Sequence, residues 1–403
     1  MTASPASIAP SPTARMRTPL LLGLGLALFA SVSTELLPPA LILGMSSTLG
    51  IDASAVGALV AVWAVTIVVG TVPAMQVTRH VPRKPLLVVS LAVLAVATVV
   101  VAAVPVFAVV VVARLVSALA AAVSWSVVFT YVPMLAPPER LGRAMAVVLG
   151  GGTLASVLGV PAGAALAAAG AWQWAFLGAA GLVIVSALVL AVGLPRLPGA
   201  PTGGMRTRSL DRSAISVAAL LSAGALLLTG YMTLYAYIVP VLGAAGIGPD
   251  GVGTVLLMAG VAGAVALLLG GALSDRYPAT ALLVLVAAVP AGILLITTAP
   301  SSGLPQPLAA AGTALVGFGI GGLPPVLQAR VARTASATFR PLATGLFVVV
   351  LNIGIAVGST VGGSLIATSG QGSVGPSALL LSGSAVAAFT ALVVRPARRR
   401  SLL

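Results

Sequence analysis

Cysteine is absent from these 403 residues, histidine occurs once, at His80, and acids number six: Glu35, Asp52, Glu139, Asp211, Asp250 and Asp275. Without thiols the chain has no disulfide and no thiolate metal site. One imidazole supplies neither a histidine metal cluster nor a Ser/His/Asp triad. No cofactor and no metal are expected, and catalysis of the soluble hydrolytic kind is disfavoured. Polar residues are equally scarce. Charged residues make up 6% of the chain against 59% hydrophobic, with a mean hydropathy of +1.18, too little polar surface to cover a water-soluble globule. Lipid must serve as the solvent. Aromatics are only 4%, and the net charge of +14 is not interleaved with them, which argues against nucleic acid as a partner.

The basic residues that do occur are grouped. Arg15 and Arg17; Arg79, Arg83 and Lys84; Arg140 and Arg143; Arg196, Arg206, Arg208 and Arg212; Arg276; Arg330, Arg333 and Arg340; and Arg395, Arg398, Arg399 and Arg400 account for all but Arg114. Successive groups are separated by roughly 50 to 60 mostly apolar residues, room for two membrane helices of about 20 to 25 residues each. Six such gaps give twelve spans, with every basic group on one face. The positive-inside rule assigns that face, and both termini, to the cytoplasm of a plasma (inner) membrane.

The expected fold class is therefore all-α integral membrane, with twelve spans in two six-helix bundles. Residues 1–18 read as a cytoplasmic tail, 19–194 as the first bundle, 195–213 as a Pro/Gly-rich basic linker, 214–394 as the second bundle and 395–403 as a basic tail. The halves look duplicated. A shift of 196 places Gly50-Ile51 on Gly246-Ile247, Val56-Gly57 on Val252-Gly253 and Pro82 on Pro278.

Several segments carry a resemblance. Gly271-Ala-Leu-Ser-Asp275-Arg276-Tyr-Pro278 resembles the G-x-L-a-D-R-x-G loop of the major facilitator superfamily. Thr78-Arg79-His80-Val81-Pro82-Arg83-Lys84 is similar to its first-half copy, with Arg79 where the family has an acid. Thr34-Glu35-Leu-Leu-Pro38, Arg114, Gly159-Val-Pro161-Ala-Gly163, Tyr237-Ile-Val-Pro240 and Asn352-Ile-Gly354 look like its twelve-span drug:proton antiporters and related sugar- and chloramphenicol-efflux proteins. The resemblance implies transport by alternating access. It also implies that Arg83, Lys84, Asp275 and Arg276 gate the cytoplasmic side, and that Gly159, Pro161 and Gly163 form a bendable seal between the halves.

Of the six acids only Glu35 lies well inside a span. A carboxyl group in hydrocarbon is costly to ionise, so it can take up and release a proton as water access alternates; the other reading is a structural, hydrogen-bonded Glu. Arg114 sits at a compatible depth in span four. Its expected counter-ion is Glu35, and the alternative is a guanidinium held by backbone carbonyls. Ser117, Ser124 and Trp125 follow Arg114 on one helix face. With Ser31, Thr233, Tyr237 and Asn352 they are the expected substrate-cavity residues. Gly317-Phe-Gly319-Ile-Gly-Gly322 fits a dinucleotide fingerprint only by letter, since no strand precedes it. The expected function is proton-coupled efflux of small amphiphilic compounds, with a small molecule, protons and the bilayer as partners and a monomer as the family default. Sugar or nucleoside efflux is the alternative within transport; a membrane receptor or scaffold is the alternative outside it.

Overall fold

The computed structural model describes residues 17–137, 141–199, 213–336 and 339–400. Among them there are helices and no strand. The first half comprises α1 (Thr18–Ala40), α2 (Ile42–Leu49), α3 (Ala53–Thr78), α4 (Arg83–Ala103), α5 (Phe107–Leu135), α6 (Leu141–Leu154), α7 (Val160–Ala168) and α8 (Gln173–Gly193). The second comprises α9 (Ser213–Tyr235), α10 (Ile238–Ala244), α11 (Pro249–Arg276), α12 (Pro278–Thr298), α13 (Pro305–Thr334), α14 (Arg340–Ser369) and α15 (Val374–Arg400). Twelve of the helical segments are long and apolar enough to cross a bilayer, the fifth by running from Val147 through a π-helical turn to Ala168. The chain is a multi-pass membrane protein.

The first, fifth and seventh apolar spans are each interrupted, and proline is the reason. Pro38 and Pro39 end α1 early; Leu41 then donates its N–H to both Leu37 and Pro38 oxygens, and α2 restarts from there. Pro240 offers no N–H to the oxygen of Ala236, so α9 stops at Tyr235 and α10 begins at Ile238. In the fifth span Pro161 is preceded by the π-helical turn Ala155–Gly159, where Val160 donates to Ala155, five residues back.

The duplication is visible in the turns. The four glycines with positive φ form two pairs, Gly50 with Gly246 at an offset of 196 and Gly170 with Gly370 at an offset of 200. Each closes a turn at the face opposite the basic loops, where a left-handed residue is needed and glycine carries no Cβ penalty.

Small residues set how closely helices approach. Gly354, Gly358 and Gly362 of α14 lie on the main-chain oxygens of Ala225, Thr229 and Thr233 of α9 in turn, so both ladders advance four residues at a time. Within the first half α1 packs on α6 and α8, and α4 on α5 and α8; within the second, α13 packs on α11 and α12, and α9 on α14 and α15. Across the halves α3 meets α14, and the π turn and α7 meet α11.

These cross-half contacts are not spread evenly along the spans. One apolar core belongs to the first half alone. The other runs from the second half into the first only near the face opposite the basic loops, through Leu37 to Met45, Val56 to Val60, Val160 and Trp172. At the basic end of α3, Val72, Pro73, Met75, Gln76 and Val77 are exposed, and the stripe Thr71, Ala74 and Thr78 is half-buried. The two halves are thus closed on the non-basic side and parted on the basic side.

Candidate functional site

Two adjacent prolines in α1 create the site. Pro38 and Pro39 lack the N–H groups that would bond to the oxygens four residues back, those of Thr34 and Glu35. Buried carbonyls need donors. Arg114 of α5 supplies them: one terminal nitrogen donates to the Thr34 oxygen at 2.6 Å and the other to the Glu35 oxygen at 3.3 Å. The guanidinium is 1% exposed. Its carbon lies 4.5 Å from the centre of the Trp63 ring of α3, a cation–π contact that covers one face. Its Nε has no hydrogen-bond partner.

Arg114 and Glu35 are therefore joined, but through the Glu35 main chain and not through an ion pair. Among the described residues the Glu35 carboxylate enters no hydrogen bond or ion pair, and the side chain is half-buried rather than sealed. The arrangement leaves a carboxyl group without a fixed partner beside a guanidinium whose two terminal nitrogens are held by main-chain oxygens and whose Nε is unpaired.

Around this pair the other expected cavity residues divide. Ser31 and Trp125 meet, the indole donating to the serine hydroxyl at 3.2 Å, with Trp125 half-buried. Ser117 is buried and donates to the Arg114 oxygen at 3.0 Å. Ser124 turns away toward α4, donating to Ser90 at 2.9 Å or to Ala120 at 2.8 Å. Thr233 is wholly buried at the seam of α9 and α14 and donates to Thr229. Asn352 is half-buried and donates back to Val348 within its own helix. Tyr237 is wholly buried between α3 and α14. Ser124, Thr233 and Tyr237 thus sit in helix seams in this state, while Ser31 lies one turn from Glu35 in the same span and Trp125 of α5 packs against it.

A sequence model of the Major Facilitator Superfamily matches residues 23–302 and 220–402. The chain belongs to that superfamily. Solved structures agree on the fold. Similar ones include the nucleoside transporter NupG (15% identity, 94% of this chain and 99% of that one, TM-score 0.70). A POT family transporter in complex with 5-aminolevulinic acid is another (11% identity, 95% and 97%, TM-score 0.76). A third is the human organic anion transporter MFSD10 (19% identity, 95% and 100%, TM-score 0.64). The fold is that of a membrane transporter.

In this superfamily member the glycines of the fifth span serve its own half. A Cβ on Gly159 would strike the Ser33 hydroxyl, and one on Gly163 would strike Leu37, so both seat α1. The seam to the second half is made instead by Pro161, whose oxygen faces Gly253, and by the π turn, where Ser156 and Val157 face Gly260 of α11. On the basic face the Arg83 N–H donates to the Leu197 oxygen at 2.9 Å, Tyr131 donates to Pro195, and Gly199 lies against Arg79 and His80. The start of the linker is thus strapped across the first-half loop. Lys84 beside it is half-buried, and Arg276 lies over the ring of its neighbour Tyr277. The side chain of Asp275, like residues 200–212, lies outside the described residues.

Sequence reasoning missed Trp63, Ser90 and the carbonyl role of Thr34. For Thr34 and Glu35 the signal was present, since two prolines four residues downstream mark two oxygens in need of a donor. Nothing in the sequence pointed to Trp63.

Proposed function

We propose that the protein is a proton-driven exporter of small amphiphilic compounds, working by alternating access, with the basic face in the cytoplasm, Glu35 as proton site and Arg114 as its partner. The observation that carries the reading is the unpaired, half-buried Glu35 carboxyl group beside a guanidinium held by main-chain oxygens. When Glu35 is protonated, Arg114 keeps its bonds to the oxygens of Thr34 and Glu35. Loss of the proton leaves a carboxylate within the same turn, which competes with the two main-chain oxygens for the guanidinium and shifts α1 against α5. A proton thereby changes how α1 is seated on α5, the coupling that antiport requires.

The test is transport in liposomes under an imposed proton gradient, using a lipophilic compound identified by growth protection of a susceptible host. The gradient accelerates efflux by the native protein and has no effect on Glu35→Gln. Equal acceleration in both removes Glu35 from the mechanism.

A second reading is sugar or nucleoside efflux, favoured by the Ser31–Trp125 hydrogen bond, a polar pair beside an aromatic face. The similar nucleoside transporter keeps it in view. Competition decides: sugars and nucleosides block transport under this reading and leave it untouched under the first. A receptor or scaffold would bind ligand and show no protein-dependent flux.

A further inference from the structure

Tyr237 was expected to line a substrate cavity, and its surroundings fit a different task. The break between α9 and α10 turns its ring sideways, into the gap between α3 of the first half and α14 of the second. Three glycines make room for it. A Cβ on Gly57 of α3 would collide with the ring and hydroxyl; one on Gly362 of α14 would come within 2.8 Å of the ring, and one on Gly363 within 2.6 Å of the hydroxyl oxygen. The hydroxyl lies 3.2 Å from the oxygen of Ser54 in the first half and 3.2 Å from that of Ser359 in the second. One O–H serves one acceptor at a time, so it holds either half while resting on the other. The side chain is completely buried.

This slot lies near the non-basic ends of α3 and α14, where the halves are closed. We propose that Tyr237 is the latch of that gate: the non-basic side opens only when the ring leaves the slot formed by Gly57, Gly362 and Gly363. Parting α3 from α14 at this end separates the Ser54 oxygen from the Ser359 oxygen, and the phenol cannot stay with both. The glycines are needed for closure and the hydroxyl for holding it. Substituting either shifts the protein the same way, toward opening on the non-basic side.

The native chain has no cysteine, so Ser47→Cys and Ser301→Cys, both exposed at the non-basic ends of the two halves, give a clean pair for spin labels. Electron–electron distance measurements in nanodiscs, without substrate or gradient, read the gate directly. The native background gives mainly the short distance. Tyr237→Phe keeps the ring and loses the bond, raising the ratio of long to short distance about fivefold. Tyr237→Ala and Gly57→Leu move the main population to the long distance. Short-distance populations unchanged in Tyr237→Phe and Gly57→Leu overturn the latch, even if Tyr237→Ala fails to fold. Because the readout is gate geometry and involves no proton flux, it stands or falls apart from the role of Glu35.

Discussion

Arg114 donates its two terminal N–H groups to the main-chain oxygens of Thr34 and Glu35, the two oxygens that Pro38 and Pro39 leave without helical donors. A buried cation and a broken helix each carry a large penalty in hydrocarbon, and here each satisfies the other. The contact also sets the Glu35 carboxyl group beside the same guanidinium.

Removing one side of this contact exposes the other. Arg114→Ala leaves two buried oxygens unpaired and lowers stability by about 3 kcal/mol or more. Adding Pro38→Ala and Pro39→Ala to that variant restores the helical N–H donors and recovers part of the loss. In the native background the same double change makes the new N–H groups compete with Arg114 and destabilises. Thermal unfolding in detergent of the four proteins checks the sign of the coupling, and simple additivity contradicts the assignment.

Trp63 covers the Arg114 guanidinium at 4.5 Å, so Trp63→Leu loses about 1–2 kcal/mol through the cation–π contact beyond any change in packing. Trp63→Phe keeps a ring face and retains part of it. The melting order native, Phe, Leu is the expected result. In an Arg114→Ala background the Phe and Leu variants should converge, and persistence of the full difference there would point to packing alone.

The α14 glycine ladder makes a sharper contrast. A Cβ on Gly358 would strike the Thr229 oxygen of α9, whereas one on Gly383 of α15 meets nothing within 4 Å. Gly358→Ala is expected to lower stability by about 2 kcal/mol through overpacking, while Gly383→Ala is neutral or mildly stabilising. Equal melting temperatures for the two variants would show that α9 and α14 do not pack this closely.

Much of the fold was legible because lipid imposes it. Twelve apolar runs between basic groups and the repeat of Gly50 at Gly246 need only length, charge and glycine to be read. The breaks at Leu41 and at Ala236-Tyr237 were missed, although Pro38, Pro39 and Pro240 announce them, because hydropathy does not register a lost hydrogen bond. The site was half legible. Glu35 and Arg114 stood out as a lone acid and base within the spans, but which oxygen of Glu35 the guanidinium takes depends on side-chain direction, not on residue type. Tyr237, Thr233 and Ser124 were assigned to a cavity on the strength of polarity and spacing. Their hydroxyls instead satisfy Ser54 or Ser359, Thr229, and Ser90 or Ala120, since a buried hydroxyl in a helix has a main-chain oxygen one turn away and a close-packed neighbour beside it.

The most direct measurement is proton release from the purified protein in weakly buffered detergent, followed with a pH-sensitive dye as a transported compound is added. The account predicts release by the native protein over the pH range in which transport is driven, and none by Glu35→Gln, which still binds the compound. Equal release by both proteins would contradict it.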